Sequence, residues 1–327
     1  MTMLEHGGQL RQAVKHFKIP LENWIDLSTG INPNGFPIPT IPLSCWQRLP
    51  ESNDGLLEVA QHYYQAEDLL AVAGSQAAIQ GLPLLYPPSK VGVLAPAYAE
   101  HAACWQQAGH QLVKLTPTTI EAQLDQLKVL ILINPNNPTG HLFSPQQLLE
   151  WHKKLQRHQG VLIIDEAFID TCPENSLCSL SPRSGLIILR SIGKFFGLAG
   201  IRCGFVIAER TLLTVLEQKL GVWPLSHPSR YLATQALMDS HWQQQTLIDL
   251  PQQGERLRQL LQSHGLMISG GHPLFQWVKT PKAKQLYQIL AQQGVLVRLF
   301  TQPESLRVGL PKNDAEWQKL TRALLKI

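Results

Sequence analysis

The fold is decided by residues 186–208, LIILRSIGKFFGLAGIRCGFVIA, where two apolar runs flank a segment in which glycines and apolar residues separate Ser191, Lys194 and Arg202. The runs, Leu186–Leu189 and Phe205–Ala208, are almost continuously apolar, which is typical of strands buried on both faces. Similar runs recur at Leu69–Ala73, Val91–Leu94, Val129–Ile133 and Val161–Ile164. Helical patterns lie between several of them, as at residues 55–64 and 145–156. This alternation predicts an α/β domain with a mainly parallel sheet.

The length of the chain predicts a second, smaller domain. The 327 residues are 44% hydrophobic, which suits about two domains of roughly 100–200 residues each. The proline-rich residues 31–50 suit an extended crossing. Strand-like pieces in the last hundred residues, grouped with residues 1–45, predict a smaller α+β domain; they are Leu274–Val278, Val295–Leu299 and Ser305–Val308. We therefore expect an N-terminal segment at 1–45, a large domain at 46–215, and connecting helices with a small domain at 216–327.

Composition argues against several classes of protein. Charged residues make up 16% of the chain, and the net charge is +4 without any run of five like charges. We therefore expect no nucleic-acid or membrane surface. The five cysteines include no CxxC pair, so neither a zinc site nor a disulfide framework is expected. Reduced thiols, no signal-peptide pattern and no long apolar stretch predict a cytoplasmic enzyme without a metal.

Polar residues follow four of the predicted strands. Ligands of open α/β sheets bind beyond the carboxyl ends of the strands. The groups found there are Gly74-Ser75-Gln76, the Asn134–Gly140 segment with Asn137, Asp165-Glu166, and Ser191 with Lys194. Each has a structural alternative, since Ser75 could cap a helix, Asn137 could form a turn and Asp165 could pair with an arginine. Their convergence on one sheet edge predicts a single binding site.

Lys194 is the candidate nucleophile of this site. Apolar neighbours such as Phe195 and Phe196 desolvate its amine, which favours the neutral form that attacks aldehydes. Arg202, eight residues later, can bind a phosphate through its guanidinium. An aldehyde cofactor with a phosphate and a basic ring nitrogen would use Lys194, Arg202 and Asp165 together. Pyridoxal phosphate has these three groups.

Over nearly its whole length the chain resembles the fold-type I, aspartate-aminotransferase-like enzymes of pyridoxal phosphate. The motifs that carry the resemblance are Asn134-Pro-Asn-Asn-Pro-Thr-Gly140, Asp165-Glu-Ala-Phe168, and Ser191-x-x-Lys194 with Arg202. The resemblance implies a three-layer, mainly parallel α/β sheet with a smaller α+β domain. It also implies a homodimer.

The resemblance implies roles for individual residues. Lys194 matches the lysine that holds the cofactor as a Schiff base, and Asp165 matches the partner of the ring nitrogen. Asn137 would donate to the ring 3′-oxygen and Tyr98 would stack on the ring. The groups implied around the cofactor phosphate are Gly74, Ser75, Gln76, Ser191 and Arg202. Arg307 resembles the arginine that binds the substrate α-carboxylate; otherwise it would be a surface arginine on an edge strand.

Within this family the N-terminal pattern resembles the threonine-phosphate decarboxylases of cobalamin biosynthesis. The pattern comprises His6-Gly7-Gly8 and Asp26-Leu-Ser-Thr-Gly-Ile-Asn32-Pro33. It implies decarboxylation of L-threonine O-3-phosphate to (R)-1-aminopropan-2-yl phosphate. The N-terminal segment would cover the active site, with His6 on the substrate phosphate and Asn32 at the substrate. Without the resemblance, His6 would belong to a frayed terminus and Asn32 to a turn.

Two other functions stay open at this point. Histidinol-phosphate aminotransferase is the runner-up, although transaminating relatives commonly carry a tyrosine where Phe168, which cannot donate a hydrogen bond, stands here. The other is a non-catalytic partner in cobalamin assembly. Leu49-Pro50 replaces a frequent Tyr-Pro, so a neighbouring subunit's contribution to the cofactor phosphate is also open. His101 replaces a frequent aromatic residue.

Overall fold

The structure is a computed structural model that describes residues 6–327, so residues 1–5 of the predicted N-terminal segment lie outside it. The strands are β1 Ile25–Asp26, β2 Leu69–Val72, β3 Lys90–Leu94, β4 Gln111–Leu115, β5 Val129–Ile133, β6 Val161–Asp165, β7 Leu186–Ser191, β8 Gly204–Ile207, β9 Gly270–His272, β10 Phe275–Lys279, β11 Val295–Leu296, β12 Arg298–Thr301 and β13 Glu304–Gly309. The helices are α1 Leu10–Phe17, α2 Ser44–Gln47, α3 Leu56–Tyr64, α4 Ser75–Gly81, α5 Ala99–Gln107, α6 Ile120–Gln123, α7 Pro145–Gln156, α8 Arg210–Leu220, α9 His227–Met238, α10 Ser240–Ser263, α11 Ala283–Gln292 and α12 Asp314–Leu324.

A mixed, mainly parallel sheet organises the large unit. Its seven strands lie in the order β2-β8-β7-β6-β5-β3-β4, and only β8 runs antiparallel to its neighbours. Each of the six predicted apolar runs forms one of these strands, which confirms the α/β prediction. The seventh strand, β4, was not predicted. It is an edge strand with exposed Gln111 and Lys114, so it lacks the continuous apolar pattern of a strand buried on both faces.

Both faces of this sheet are covered by helices. Alternate residues of a strand point to opposite faces. Val161 and Ile163 of β6 belong to a core cluster with side chains from α4, α5 and α8, whereas Leu162 and Ile164 are buried on the other face. Helix α7 packs against β6 as well. The unit therefore has the predicted three layers.

The small unit contains an antiparallel sheet. Strands β12-β13-β10-β9 form it, while β1 pairs in parallel with β11. The prediction of one strand over Val295–Leu299 is wrong, because the segment divides at Val297 into two strands. β11 pairs with β1 and β12 pairs with β13, so the segment serves two different partners.

The two compact units differ in extent from the predicted domains. The small unit comprises residues up to Asn34, Pro138–His141 and Gln244–Ile327, and the large unit comprises Gly35–Asn137 and Leu142–Gln243. Helices α8 and α9 belong to the large unit because they pack against β2, α3 and α4. The predicted role of residues 1–45 as a cover stays a prediction. Within residues 6–327, no helix has the length and apolar character needed to cross a membrane.

Candidate active site

Lys194 lies in the turn that follows β7. The residues around it, Ile192, Phe195 and Phe196, are buried, and Lys194 itself is half-buried. Its Nζ lies 5.5 Å from the ring centroid of Phe168. The apolar setting predicted for this amine is therefore present.

Asp165, at the end of β6, is 3% exposed, and each of its carboxylate oxygens has a partner. Oδ2 lies 2.9 Å from His101 Nε2, and Oδ1 accepts a hydrogen bond of 3.1 Å from the Ala167 N–H. The partner of the Asp165 carboxylate is therefore a histidine, and the alternative of an arginine partner is wrong. His101 is a further candidate site residue, because it is the partner of Asp165, and the sequence interpretation did not assign it this role. Its position one helical turn after Tyr98 was the available signal.

A buried ion pair holds the ends of β6 and β7 together beneath these residues. Arg190 Nη1 donates to Glu166 Oε2 over 3.0 Å, and Arg190 Nη2 donates to Asp170 Oδ1 over 2.5 Å. All three side chains are buried, so removing one partner would leave an uncompensated charge in the core. Because Glu166 follows Asp165 and Arg190 precedes Ser191, this pair fixes the strand ends that carry candidate site residues.

The Asn-Pro-Asn-Asn motif follows β5, and its three asparagines have different contacts. Asn134 exchanges two side-chain hydrogen bonds with the Phe143 backbone, and Asn136 Nδ2 donates to Pro96 O over 3.0 Å. These two residues therefore hold the loop in place. Asn137 is half-buried and is the motif's candidate for a ligand contact.

Tyr98 is linked to the start of helix α4. Its hydroxyl donates to Gln76 Oε1 over 3.2 Å, and Gln76 Nε2 donates to Glu100 Oε2 over 3.0 Å. Burial, with Glu100 and Asp165 nearby, raises the pKa of Tyr98 to about 12, so the phenol is neutral at physiological pH. Because the Gln76 side chain is engaged in this way, its contribution to an anion site would come from its backbone N–H.

Gly74, Ser75 and Arg202 meet where β2 ends. A Cβ added to Gly74, whose φ is +70°, would lie 2.6 Å from Arg202 Nη2. A Cβ on Gly204 would lie 2.7 Å from the Ser75 amide nitrogen. In the sheet register Gly204 is paired with Ser191, so the Ser191 position belongs to the same row. The residues predicted to bind a phosphate therefore lie close together, because Gly74 and Gly204 have no side chain that would separate them.

These residues fit the groups of pyridoxal phosphate. Because residue 74 is a glycine, the Arg202 guanidinium can lie close to the start of α4, which brings guanidinium and amide donors suited to a phosphate together. Asp165, backed by His101, offers a buried carboxylate to a protonated ring nitrogen. Lys194 supplies an amine in an apolar setting.

In the small unit, Arg307 lies on β13, which is flanked by β12 and β10. It is 5% exposed, so the alternative of a surface arginine on an edge strand is wrong. Its Nη2 donates to the Ser28 carbonyl over 2.5 Å, and its guanidinium carbon lies 5.1 Å from the Phe275 ring centroid. Burial and then Arg298 lower the pKa of Arg307 to about 10, so the side chain is still charged at neutral pH.

Arg298 is a second site candidate that the sequence interpretation missed. It lies directly opposite Arg307 in the β12–β13 register. Two like charges in such a cross-strand pair are destabilising unless an anion compensates them. Arg298 and His6 line one cavity of about 380 Å³ in the small unit, together with Ser28. The signal in the sequence was a pair of arginines on adjacent predicted strands.

Asn32 is buried, and its Oδ1 accepts a hydrogen bond of 2.9 Å from the Asn34 N–H. It therefore forms the local turn of the alternative interpretation.

Comparisons with known proteins agree with this arrangement. The model of the family "Aminotransferase class I and II" matches residues 47–324. A threonine-phosphate decarboxylase of Pseudomonas aeruginosa is 51% identical over 323 residues, 99% of this chain and 98% of that protein. A histidinol-phosphate aminotransferase of Vibrio vulnificus is 32% identical over 199 residues, 60% of this chain and 57% of that protein.

The fold also matches a solved structure. The histidinol-phosphate aminotransferase of Sinorhizobium meliloti, in complex with pyridoxal-5′-phosphate, gives a TM-score of 0.83 at 18% identity and covers 99% of this chain and 98% of that one. At that identity the likeness concerns the fold alone. From the family model and the full-length match to a decarboxylase, the chain belongs to the class I and II aminotransferase family.

Proposed function

We propose that this protein is a pyridoxal-phosphate-dependent decarboxylase that converts L-threonine O-3-phosphate to (R)-1-aminopropan-2-yl phosphate and CO2. The observation that carries the proposal is the 51% identity to a threonine-phosphate decarboxylase over 99% of the chain. The matches to histidinol-phosphate aminotransferases are weaker, at 32% identity over 60% of the chain and 29% identity over 73% of it. A place in cobalamin biosynthesis is part of the proposal.

The large unit would hold the cofactor. Lys194 would bind its aldehyde carbon, Asp165 would face the ring nitrogen, and His101 would hold Asp165 in position. Asn137 and Tyr98 would contact the ring; Gly74, Ser75, Gln76, Ser191 and Arg202 would surround the phosphate. When bound, pyridoxal phosphate supplies an electron sink for the pair left at Cα when CO2 departs. The amine of Lys194 would then deliver a proton to Cα.

The small unit would recognise the substrate through its charges. O-phosphothreonine carries a carboxylate and a phosphate of about −1.5 to −2 charge at neutral pH. Arg307 would bind the carboxylate, and Arg298 with His6 would bind the phosphate. Asn32 would add a neutral donor. Two arginines in one cross-strand pair provide a cation for each anionic group. By binding both ends of the substrate, Arg307 and Arg298 would orient it and so determine which bond at Cα is cleaved.

A direct assay tests this function. The purified protein with pyridoxal phosphate should release CO2 from O-phospho-L-threonine without any keto-acid acceptor, measured as released CO2 and as aminopropanol phosphate by mass spectrometry. A parallel reaction with histidinol phosphate and 2-oxoglutarate tests the alternative. Transamination in the second reaction with no CO2 in the first would contradict the proposal. A protein that does not bind the cofactor would point instead to the non-catalytic role.

We also propose that the protein is a homodimer. Seven apolar residues of the large unit are between 58 and 77% exposed, and five of them lie on or near helices α2 and α9, namely Leu43, Trp46, Leu49, Val222 and Trp223. Helix α2, which contains Trp46, packs against α9, and Val222 and Trp223 lie just before α9. Several large apolar side chains exposed in one region of a protein are typical of an interface. The Leu49 side chain cannot donate a hydrogen bond to a partner's cofactor.

Light scattering after gel filtration should give twice the 36.6 kDa mass of the chain. A double variant with Trp46→Asp and Trp223→Asp should shift the mass toward 36.6 kDa, because charges at an apolar interface are costly to bury. Met267→Asp is the matched control, since Met267 is 82% exposed in the small unit. A monomeric wild-type protein would refute the dimer.

A cytoplasmic location remains part of the proposal. All five cysteines are free in the structure, and free thiols are typical of reducing compartments.

A further inference from the structure

Ser28 lies just after β1 and is 1% exposed. Its hydroxyl donates to Asp26 Oδ1 over 2.5 Å, and its N–H donates to the same oxygen over 2.9 Å. Because the hydroxyl has one proton, its remaining role is that of an acceptor. Asp26 therefore fixes the direction in which the Ser28 hydroxyl presents its lone pairs.

The glycines next to His6 rest on Ser28. The Gly8 N–H donates to Ser28 Oγ over 2.7 Å. Gly7 approaches the Ser28 backbone so closely that a Cβ on it would lie 2.5 Å from the Ser28 carbonyl oxygen. Only glycine can approach a carbonyl oxygen at this distance without displacing it.

That same carbonyl oxygen accepts the 2.5 Å hydrogen bond from Arg307 Nη2. Ser28 thus contacts the His6 segment through its side chain and Arg307 through its backbone. A shift of the Ser28 backbone would therefore move both the His6 segment and the Arg307 side chain.

We propose that Ser28 is a positioning residue that couples the segment carrying His6 to Arg307, so that the phosphate and carboxylate of the substrate are bound as a linked pair. The inference rests on the proposed function, since that function assigns these two groups to one substrate. It adds a residue that acts through its neighbours, by positioning the His6 segment and Arg307.

Hydrogen–deuterium exchange tests the structural half without substrate. In Ser28→Ala, the amide of Gly8 loses its acceptor, so the N-terminal peptide that contains Gly8 should exchange faster by mass spectrometry. Ser263→Ala is the matched control, because it removes the hydroxyl of an exposed serine in the same unit, away from Gly8 and Ser28. Unchanged Gly8 exchange in Ser28→Ala would overturn the coupling.

A double-mutant cycle tests the functional half. Ser28→Ala and His6→Ala should each raise the KM for O-phospho-L-threonine by roughly three- to tenfold, the size expected for one lost hydrogen bond. If Ser28 acts through the His6 segment, the double variant should be little worse than either single variant. Effects that simply multiply would overturn the proposal, since a purely structural Ser28 would act independently of His6.

The Gly7→Ala variant tests the same coupling without replacing Ser28. The added methyl group would push on the Ser28 carbonyl, so KM should rise as in Ser28→Ala while the melting temperature shows that the protein is folded. A folded Gly7→Ala enzyme with unchanged KM would count against the coupling. Failure of the wild-type enzyme to release CO2 would count against the proposed reaction only, because the exchange experiment uses no substrate.

Discussion

Replacing Lys194 with alanine should abolish the visible absorbance of the lysine-bound cofactor and reduce turnover on the order of 10⁴-fold. The substitution removes the only group proposed both to bind the aldehyde carbon and to deliver a proton to Cα. The buried side chains around Lys194, those of Ile192, Phe195 and Phe196, carry no proton donor that could replace its amine. The absorbance spectrum and the rate of CO2 release measure the two losses separately.

Lys219→Ala is the control for this experiment, because Lys219 is an exposed lysine on α8. It should leave both the spectrum and the rate unchanged. A retained visible band in Lys194→Ala would show that a different amine binds the cofactor.

The large unit was predictable because its strands are buried on both faces. Continuous runs such as Val129–Ile133 have no competing interpretation once helical patterns separate them. The end of α4 before Pro83 and the cap of α7 by Ser144, whose Oγ accepts from the Gln147 N–H over 3.2 Å, are likewise local effects. The edge strand β4 was missed because solvent on one side permits Lys114 and Gln111.

The candidate site was less predictable because side-chain pairing is not local. Asp165 was identified from its position after a strand, but its partner His101 is 64 residues away in the chain. Arg307 was identified from a motif, whereas its contact with the Ser28 carbonyl spans 279 residues. Arg298 is visible only once the register of β12 and β13 is known. Motifs in the sequence therefore identify candidate site residues, whereas their hydrogen-bond partners become known only from the fold.

Asp165→Asn should lower the rate of CO2 release by roughly 10²–10³-fold while the visible absorbance of the lysine-bound cofactor is retained. Asparagine keeps the shape of the side chain and still accepts from the Ala167 N–H. It removes the negative charge that would keep the ring nitrogen protonated, so the effect falls on the chemical step rather than on cofactor binding. Measuring kcat together with the spectrum separates the two.

His101→Asn leaves that carboxylate in place and removes its 2.9 Å partner, so we expect a smaller loss, on the order of tenfold. Asp125→Asn, an exposed carboxylate on the same unit, should have no effect. We therefore expect the rate of CO2 release to fall most in Asp165→Asn, less in His101→Asn and not at all in Asp125→Asn. If His101 acts through Asp165, the double variant should be no slower than Asp165→Asn alone. An Asp165→Asn enzyme with wild-type kcat would show that the buried carboxylate maintains the fold and has no part in the reaction.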